Sequence, residues 1–322
     1  MDRIDLTSSL KVSRFCMGCG PFGSLLSRDE AFRLMDRFAE AGGTFFDTAH
    51  VYAKWVPGGE GASERTLGEW IRARGMESRA VVGTKGGHPD LETMEVGRLD
   101  PESIASDLRE SLERLGMERV ALYWLHRDDP AVPAGEIIEA LNEHVTAGWI
   151  GELGASNWRP ARIRAANAYA AARGLKGFCA SQIQFSYARA NDAVQGEMGM
   201  VLMDDECMAL HETTGMPVVP YSPQAGGFFS GRYGRELLET GGEDNPKVGM
   251  LRRFYFSEAN FDRLERAQSL GRKLGISANA VALAWLMGRP FPSVPIIGPN
   301  RLDQLEDSLS ALVYVETCRL LE

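Results

Sequence analysis

The sequence has no long apolar run and no excess of positive charge. Within its 322 residues no apolar stretch approaches the roughly 20 residues that a membrane-spanning helix requires. The N-terminal segment MDRIDLTSSLKVSR lacks the apolar region of a signal peptide, so we expect a cytoplasmic protein outside the membrane. The formal net charge of −9 argues against a general nucleic-acid-binding surface, which needs clustered Lys and Arg. One local basic pocket for an anionic cofactor is compatible with this charge.

Cysteine is scarce and scattered, which is unlike a disulfide framework and fits a reducing compartment. Two of the cysteines form a C-x-x-C motif, but neither a second pair nor paired histidines follow at zinc-ligand spacing. We therefore predict structural thiols and no metal site, with a redox or metal-binding pair as the alternative. The five cysteines are Cys16, Cys19, Cys179, Cys207 and Cys318.

Short apolar runs that end at Gly, Ser or a charged residue alternate with longer amphipathic segments along nearly the whole chain. This alternation is typical of repeated βα units. Each run has the length expected of a buried strand. The eight candidate strands are residues 14–20, 44–49, 80–85, 121–126, 150–156, 180–185, 217–222 and 293–298.

Helix start and stop signals lie between several of these strands. Ser27, Ser63 and Asp100 each precede an amphipathic run and are residue types that cap helix N-termini. Gly75 and Gly116 follow two of the runs, where glycine commonly ends a helix. These signals predict helices between the strands.

Eight strands that alternate with helices predict a (β/α)8 TIM barrel in the α/β class, covering residues 1–322 as one domain. Such barrels need about 250 residues plus insertions. A doubly wound sheet is the competing arrangement, because Gly18, Gly20 and Gly23 fit the G-x-G-x-x-G pattern of dinucleotide-binding folds. That pattern is weak by itself, and the number of strands favours the barrel.

Ionisable side chains stand at the carboxyl ends of three candidate strands. These strands end at Asp47, Lys85 and His126, and Tyr52 lies in the loop after the first of them. Taken singly, each residue has an ordinary interpretation as a turn cap, a loop charge or a core histidine. The carboxyl ends of barrel strands form the active-site face, so together these residues predict a catalytic site there.

Six motifs, in order and over essentially the entire chain, resemble those of the aldo-keto reductase superfamily. The opening RIDLTSSLKVSRF also resembles the β-hairpin with which that family plugs the amino end of its barrel. The resemblance implies a catalytic tetrad of Asp47, Tyr52, Lys85 and His126. The motifs are FFDTAHVYAK, GTKGG, LHRDDP, GELGASNW, YSPQAGGFFSGRY and IIGPNRLDQLEDSL.

The chemistry that the resemblance implies is reversible reduction of an aldehyde, ketone or sugar carbonyl to an alcohol by NAD(P)H. Tyr52 would act as the general acid, and Lys85 would lower the pKa of that phenol by stabilising the phenolate. Asp47 would hold the lysine, while His126 would orient the carbonyl. His50 and Lys54, in the same loop, are expected to be bystanders or pocket walls.

The resemblance also implies cofactor-binding residues. Ser156, Asn157 and Gln182 would bind the nicotinamide carboxamide, and Tyr221 would stack on the ring. We expect NADPH/NADP+, because the family mostly uses it. NADH is the alternative, because Arg301 is the one basic residue in the segment where the family usually grips the 2′-phosphate. The other expected cofactor contacts are Gly20, Ser222, Pro223, Gly298, Pro299, Asn300, Gln304 and Ser308.

Substrate identity is left open by the sequence, as is the oligomeric state. Phe22, Trp55, Trp124 and Trp158 are candidate walls of an apolar substrate pocket, or ordinary core aromatics. A nucleotide-sensing regulatory subunit with vestigial catalysis is the main alternative function. A Schiff-base lyase that uses Lys85 is a second alternative.

Overall fold

The N-terminal residues form a short antiparallel hairpin. Its strands are β1 (Arg3–Asp5) and β2 (Lys11–Ser13). Leu6 and Leu10, in the connecting turn, are buried in a hydrophobic cluster together with side chains from the inside of the parallel sheet. The hairpin therefore closes one end of that sheet, which confirms the predicted N-terminal plug.

Seven further strands run parallel to one another in the computed structural model, which describes residues 1–238 and 245–321. Their residues are largely buried, as expected of strands that are covered on both faces. The strands are β3 (Cys16–Gly18), β4 (Phe45–Asp47), β5 (Val81–Gly86), β6 (Val120–Leu125), β7 (Ile150–Ser156), β8 (Phe178–Gln182) and β9 (Ile296–Ile297).

The parallel strands close into a barrel. From β3 to β8 each strand pairs with the next one along the chain, and β9 pairs with β3. Residues 217–221 fill the remaining gap: Val219 donates its N–H to Ser181 O (2.8 Å) on one side, and Pro220 O accepts from Ile296 N (3.0 Å) on the other. Pro220 has no N–H, which interrupts the regular ladder. The predicted eight-stranded barrel is confirmed, and the doubly wound alternative is wrong.

Helices lie between the parallel strands and after the last of them, and most bury one face, whereas the helix Ala278–Met287 is buried nearly all round. In the first of them Ala31, Leu34, Met35 and Phe38 are buried, at the spacing of one helical face. In the part of the chain that the structure describes, none of the helices is both long and apolar enough to cross a bilayer. The helices are α1 (Arg28–Glu40), α2 (Ala62–Arg74), α3 (Pro101–Leu115), α4 (Ala134–Thr146), α5 (Pro160–Arg173), α6 (Asp205–Thr214), α7 (Pro246–Tyr255), α8 (Glu258–Leu274), α9 (Ala278–Met287), α10 (Leu302–Ser310) and α11 (Val315–Cys318).

Two of the three predicted helix starts are confirmed. Ser27 caps α1 and Asp100 caps α3, each through its side-chain oxygen. The predicted start at Ser63 is wrong, because α2 begins one residue earlier with Gly61 as its N-cap. The hydroxyl of Ser63 instead donates to Cys19 O (2.8 Å), in the loop after β3. This serine therefore ties α2 to the barrel rim.

The C-x-x-C pair lies in the protein interior. Cys16 and Cys19 are both free and fully buried, and they belong to different hydrophobic clusters. Burial, and next the carboxylate of Asp47, raise the pKa of both thiols. Protonated, buried thiols are poor nucleophiles and poor metal ligands, which supports a structural role. Among the described residues, no group of three or more His, Cys, Asp or Glu could hold a metal ion.

Candidate active site

Three ionisable side chains meet at the carboxyl ends of β4 and β5. Lys85 is fully buried and donates to Asp47 Oδ2 (2.5 Å), Thr48 O (2.8 Å) and the hydroxyl of Tyr52 (2.8 Å). The three hydrogens of the ammonium group thus each have an oxygen partner. The structure therefore brings together a carboxylate, a lysine and a tyrosine in one hydrogen-bonded chain.

The register between β4 and β5 brings Asp47 and Lys85 together. Asp47 is the last residue of β4 and pairs with Gly83 of β5. Lys85 lies two residues beyond Gly83, and therefore on the same face of the sheet and just past the end of β4. Beyond the strand, His50 N donates to Lys85 O (2.9 Å), which continues the pairing into the loop. A turn then brings Tyr52 back over the lysine, whose Nζ lies 4.3 Å from the tyrosine ring centroid.

Side chains from β7 and β8 connect the site to its surroundings. Gln182 Nε2 donates to Asp47 Oδ1 (3.0 Å), so both carboxylate oxygens of Asp47 have a partner. Asn157 donates to His126 O (3.2 Å) and accepts from the Tyr221 hydroxyl (2.8 Å). Ser156 donates its hydroxyl to the backbone oxygen of Gln182 (3.0 Å). These buried hydrogen bonds hold the amide side chains in fixed orientations.

Two histidines stand beside the tyrosine. The His126 ring centroid lies 5.7 Å from that of Tyr52 and 4.9 Å from that of His88. Burial, and next the charge of Lys85, hold the pKa of His126 well below its usual range. Burial also lowers the pKa of His88 to about 4, although the Pro89 carbonyl that accepts its proton opposes this. Both imidazoles are therefore neutral near pH 7, and His126 can hydrogen-bond a carbonyl oxygen without carrying charge.

The pKa of Tyr52 differs from the expectation. Burial raises the pKa of Tyr52, and Lys85 opposes that effect without reversing it. The lysine therefore acts in the expected direction, but the expected net lowering is wrong because desolvation of the phenolate is larger. Burial acts against the charge of Lys85 too, yet Asp47 and Tyr52 together raise the pKa of the lysine above its ordinary value. At neutral pH the pair is a protonated phenol beside an ammonium group.

A cleft of about 800 Å³ leads away from this cluster toward the N-terminus of α10. Asp47 and Tyr52 line one end of it, while Arg301 and Gln304 line the other. Its volume falls in the range of small-molecule and cofactor sites. The predicted cofactor residues that line the cleft are Gly20, Tyr221, Ser222, Pro223, Gly298, Pro299, Asn300 and Gln304.

Comparison with known proteins gives the family. The sequence model of the aldo/keto reductase family matches residues 14–317. This chain belongs to the aldo/keto reductase family. Family members are oxidoreductases that use nicotinamide cofactors, so membership supports NAD(P)H-dependent chemistry on a carbonyl compound for this aldo/keto reductase.

Several curated relatives are aldo/keto reductases or oxidoreductases by name. The uncharacterized oxidoreductase YrpG of Bacillus subtilis is 31% identical over 310 residues, which cover 95% of this chain and 89% of the relative. Norsolorinic acid reductase stcV of Emericella nidulans is 28% identical over 326 residues, which cover 95% of this chain and 75% of the relative. A relative with a different name is a probable voltage-gated potassium channel subunit beta of Oryza sativa. It is 27% identical over 313 residues, which cover 95% of this chain and 89% of the relative.

The remaining predicted cofactor residues of this aldo/keto reductase lie just behind the cleft surface. Ser156, Asn157, Gln182 and Ser308 are buried. Three of the four hydrogen-bond to side chains that line the cleft; for Ser308 the partner is Gln224 Nε2 (3.3 Å). Their polar groups therefore support the cleft wall from within.

Three of the four candidate pocket aromatics are buried, which favours the second of the two interpretations that the sequence left open, ordinary core residues. Phe22, Trp124 and Trp158 are at most 1% exposed and belong to hydrophobic clusters. Packing accounts for them. Trp55 is different: it is 56% exposed, and its ring centroid lies 6.3 Å from that of Tyr52. Trp55 is therefore the one of the four placed to contact a molecule at the tyrosine.

Several cleft residues escape the sequence reasoning. Ser277 and Asn279 belong to the start of α9, which no recognised motif covers, and Asn279 Nδ2 donates to Asp307 Oδ2 (2.8 Å). Lys247 lies on α7, in the long connection after residues 217–221, and Arg232 lies within the motif YSPQAGGFFSGRY but was not among the predicted cofactor contacts. The signal in the sequence that could have identified them is their positive charge, in a chain whose net charge is −9. Basic residues in a long loop over a barrel rim are candidates for anion contacts.

Proposed function

We propose that this protein is an NAD(P)H-dependent carbonyl reductase that converts an aldehyde, ketone or sugar to an alcohol, reversibly, with Tyr52 as the general acid. The observation that carries the proposal is the position of the Lys85 ammonium, hydrogen-bonded between the Asp47 carboxylate and the Tyr52 hydroxyl. This arrangement presents the proton of the Tyr52 hydroxyl at the mouth of the barrel, next to a neutral imidazole.

Each residue has a defined part in the proposed reaction. A bound nicotinamide would supply the hydride to the carbonyl carbon. As negative charge grows on the carbonyl oxygen, Tyr52 donates its proton there, and Lys85 at 2.8 Å stabilises the phenolate that remains. Asp47 keeps the lysine in place. His126 donates a hydrogen bond that orients the carbonyl oxygen.

The cleft fits a dinucleotide in shape and in chemistry. Tyr221 offers an aromatic face near Tyr52, where a nicotinamide ring would stack. At the other end lies the N-terminus of α10, whose backbone N–H groups favour a phosphate. A Cβ atom built on Gly298 would meet no other atom within 4 Å, so ligand atoms can approach the backbone there.

We propose NADPH as the preferred cofactor, with Lys247 as a phosphate contact. Arg301, the basic residue expected in this role, forms an exposed bidentate pair with Asp303 (2.9 and 2.6 Å). Lys247 lines the same cleft and lies on α7, across from the N-terminus of α10. A cation at this position would favour the nucleotide that carries the additional phosphate.

Substitution of Lys247 by Met tests this preference. Because one phosphate contact is lost, we expect the Kd of NADPH to rise about tenfold while that of NADH changes little, measured by quenching of tryptophan fluorescence. Lys273→Met, at an exposed position on α8, is the matched control. A wild-type protein that binds NADH more tightly than NADPH would contradict the preference.

The proposed activity is tested directly by a screen of aldehydes, ketones and sugars against both reduced nucleotides. The expected result is substrate-dependent oxidation of NADPH that disappears in Tyr52→Phe. Nucleotide binding by a protein that oxidises no cofactor with any carbonyl compound would instead favour the second candidate, a nucleotide-sensing subunit. The similarity to the rice potassium channel beta subunit is the observation that keeps this candidate open.

Three broader predictions are also kept as proposals. We propose that residues 1–322 form one domain and that the protein acts in the cytoplasm. We further propose that its partner is a small carbonyl compound and that it binds neither nucleic acid nor membranes. The net charge of −9 argues against a nucleic-acid-binding surface, and the cleft at the barrel rim favours a small-molecule partner.

A further inference from the structure

The ring of His50 is held between two carboxylates of α3. Its Nε2 lies 3.0 Å from Glu110 Oε2, and its Nδ1 lies 3.7 Å from Asp107 Oδ1. The histidine side chain is 8% exposed and that of Asp107 is 1% exposed, so this contact is shielded from water, whereas Glu110 is half-exposed. The mechanism proposed above gives this residue no part, although it precedes Tyr52 by two positions.

The backbone of His50 is fixed as well. Its N–H donates to Lys85 O (2.9 Å), and its carbonyl accepts from Arg114 Nη1 (3.3 Å). Arg114 also pairs with Glu110 (2.9 Å). Asp107, Glu110 and Arg114 have the spacing of a single helix face. One face of α3 therefore holds both the ring and the backbone of this residue.

The carboxylate of Asp107 is itself fixed. It is 1% exposed and accepts from Arg98 Nη2 (2.7 Å) and Gly87 N (2.9 Å). Gly87 follows β5 directly and is two residues from Lys85. Helix α3 thus anchors two loops, the one that carries Tyr52 and the one that follows Lys85.

The tyrosine loop needs such an anchor. Ala53, the residue after Tyr52, has a φ of +66°, which is unfavourable for a residue with a side chain. Beyond it come Gly58, Gly59 and Gly61, which add little stiffness of their own. Backbone hydrogen bonds within the loop, such as Tyr52 N to Ala49 O (3.1 Å), form its turns, while contacts from outside the loop fix where it docks.

We propose that His50 is a positioning residue. By docking the tyrosine loop on α3, it holds the Tyr52 hydroxyl at hydrogen-bond distance from Lys85. The inference rests on the proposed function for its meaning, but its geometry can be measured without turnover.

The test compares His50→Phe, which keeps a ring but no hydrogen bonds, with His50→Gln, which retains a polar group able to bond to the carboxylates. Because small misplacements of catalytic groups are costly, we expect His50→Phe to lower kcat about tenfold or more while the Kd of NADPH stays within about twofold. His50→Gln should recover a large part of kcat.

A second readout follows Tyr52 itself. With carbon-13-labelled tyrosine, the ζ-carbon resonance of Tyr52, assigned by its loss in Tyr52→Phe, should shift in His50→Phe because its contact with Lys85 is weakened. His144→Phe is the matched control. His144 lies on α4 and stacks on Trp149, so its substitution should leave both kcat and the resonance unchanged. If His50→Phe does not fold, Glu110→Gln at a half-exposed position should give a smaller shift in the same direction.

The outcomes separate the two proposals. Wild-type kcat and an unshifted Tyr52 resonance in His50→Phe would overturn the positioning role, as would equal losses in the Phe and Gln variants. A wild-type protein that reduces no carbonyl compound would overturn the proposed function, while the resonance of Tyr52 would still decide whether His50 positions it.

Discussion

At the scale of single residues, Lys85 combines complete burial with a full set of partners. Its side chain is 0% exposed and that of Asp47 is 1% exposed, at a separation of 2.5 Å. A buried ion pair does not guarantee stability, because both charges lose their hydration. Removing one partner, however, leaves the other charge buried and uncompensated.

Lys85→Met should therefore destabilise the fold as well as abolish reduction. We expect a loss of roughly 3–5 kcal/mol in the free energy of unfolding, measured by urea denaturation at neutral pH. Lys11→Met breaks the exposed pair with Asp5 (2.6 Å) and should cost less than about 1 kcal/mol. Equal stabilities of the two variants would show that the Asp47 carboxylate does not depend on the lysine.

His88 makes stability depend on pH on the acid side. Its pKa is lowered by burial from the ordinary 6.5 to about 4, so between these values the unfolded chain binds more protons than the folded one. The stability that comes from the neutral ring is therefore fully present above about pH 6.5 and is lost as the pH falls toward 4. His126, also buried and neutral, acts in the same direction.

His88→Gln should weaken this dependence. Between pH 7 and pH 5 the histidine accounts for about 2 kcal/mol of lost stability, and the variant should lose that much less than the wild type over the same interval. Urea denaturation at the two pH values measures the difference. His144→Gln, at a partly buried position on α4, serves as the comparison. Parallel slopes for wild type and His88→Gln would contradict the buried neutral ring.

Candidate catalytic residues could be predicted from the sequence where a strand end and a recognised motif coincided. Asp47, Lys85 and His126 each combine a strand end with a recognised motif, and the structure brings their side chains to one place. Trp124 shows why the sequence could not separate pocket aromatics from core aromatics. It lies two residues before His126, so both point into the barrel, but the tryptophan lies one layer deeper. Depth within a barrel is not visible in a linear pattern.

At the scale of elements, the N-terminal hairpin contributes to the floor of the barrel. Leu6, Leu10 and Val12 are at most 8% exposed and share a cluster with Phe45 and Trp124. The hairpin buries apolar area that the open end of the barrel would otherwise leave in water.

Leu10→Ala should lower the free energy of unfolding by about 2–5 kcal/mol, since it removes buried methyl groups and leaves a cavity. Leu25→Ala, where the side chain is 71% exposed, should change it by no more than about 0.5 kcal/mol. Chemical denaturation of both variants checks the prediction. A Leu10→Ala protein as stable as Leu25→Ala would mean that the hairpin is not part of the cooperative core.

Strand positions were more predictable than strand extents. All eight candidate segments occupy barrel positions, but β3 has three residues and β9 only two. Residues 217–221 pair through isolated bridges, because Pro217 and Pro220 cannot donate to the ladder. Apolar runs report burial, whereas the extent of a strand depends on hydrogen bonds with neighbours that are distant in sequence.

At the scale of the whole molecule, barrel closure assembles the site. Asp47, Lys85 and Gln182 lie on β4, β5 and β8, and His126 directly follows β6. The cleft leads from Asp47 and Tyr52 to the N-terminus of α10 near the end of the chain. The chain is acidic overall, yet Arg232, Lys247 and Arg301 line this cleft. Asp303 and Asp307 line it too, so these basic residues offer local contacts to an anionic cofactor rather than a region of net positive charge.

The central claim is that Tyr52 donates the proton in carbonyl reduction. The most direct measurement is single-turnover oxidation of bound NADPH after rapid mixing with an aldehyde, for wild type and Tyr52→Phe. General acids contribute about 10²–10⁴-fold, so we predict a fall of at least about 100-fold in the hydride-transfer rate with an unchanged Kd for NADPH. Equal single-turnover rates in the two proteins would contradict the account.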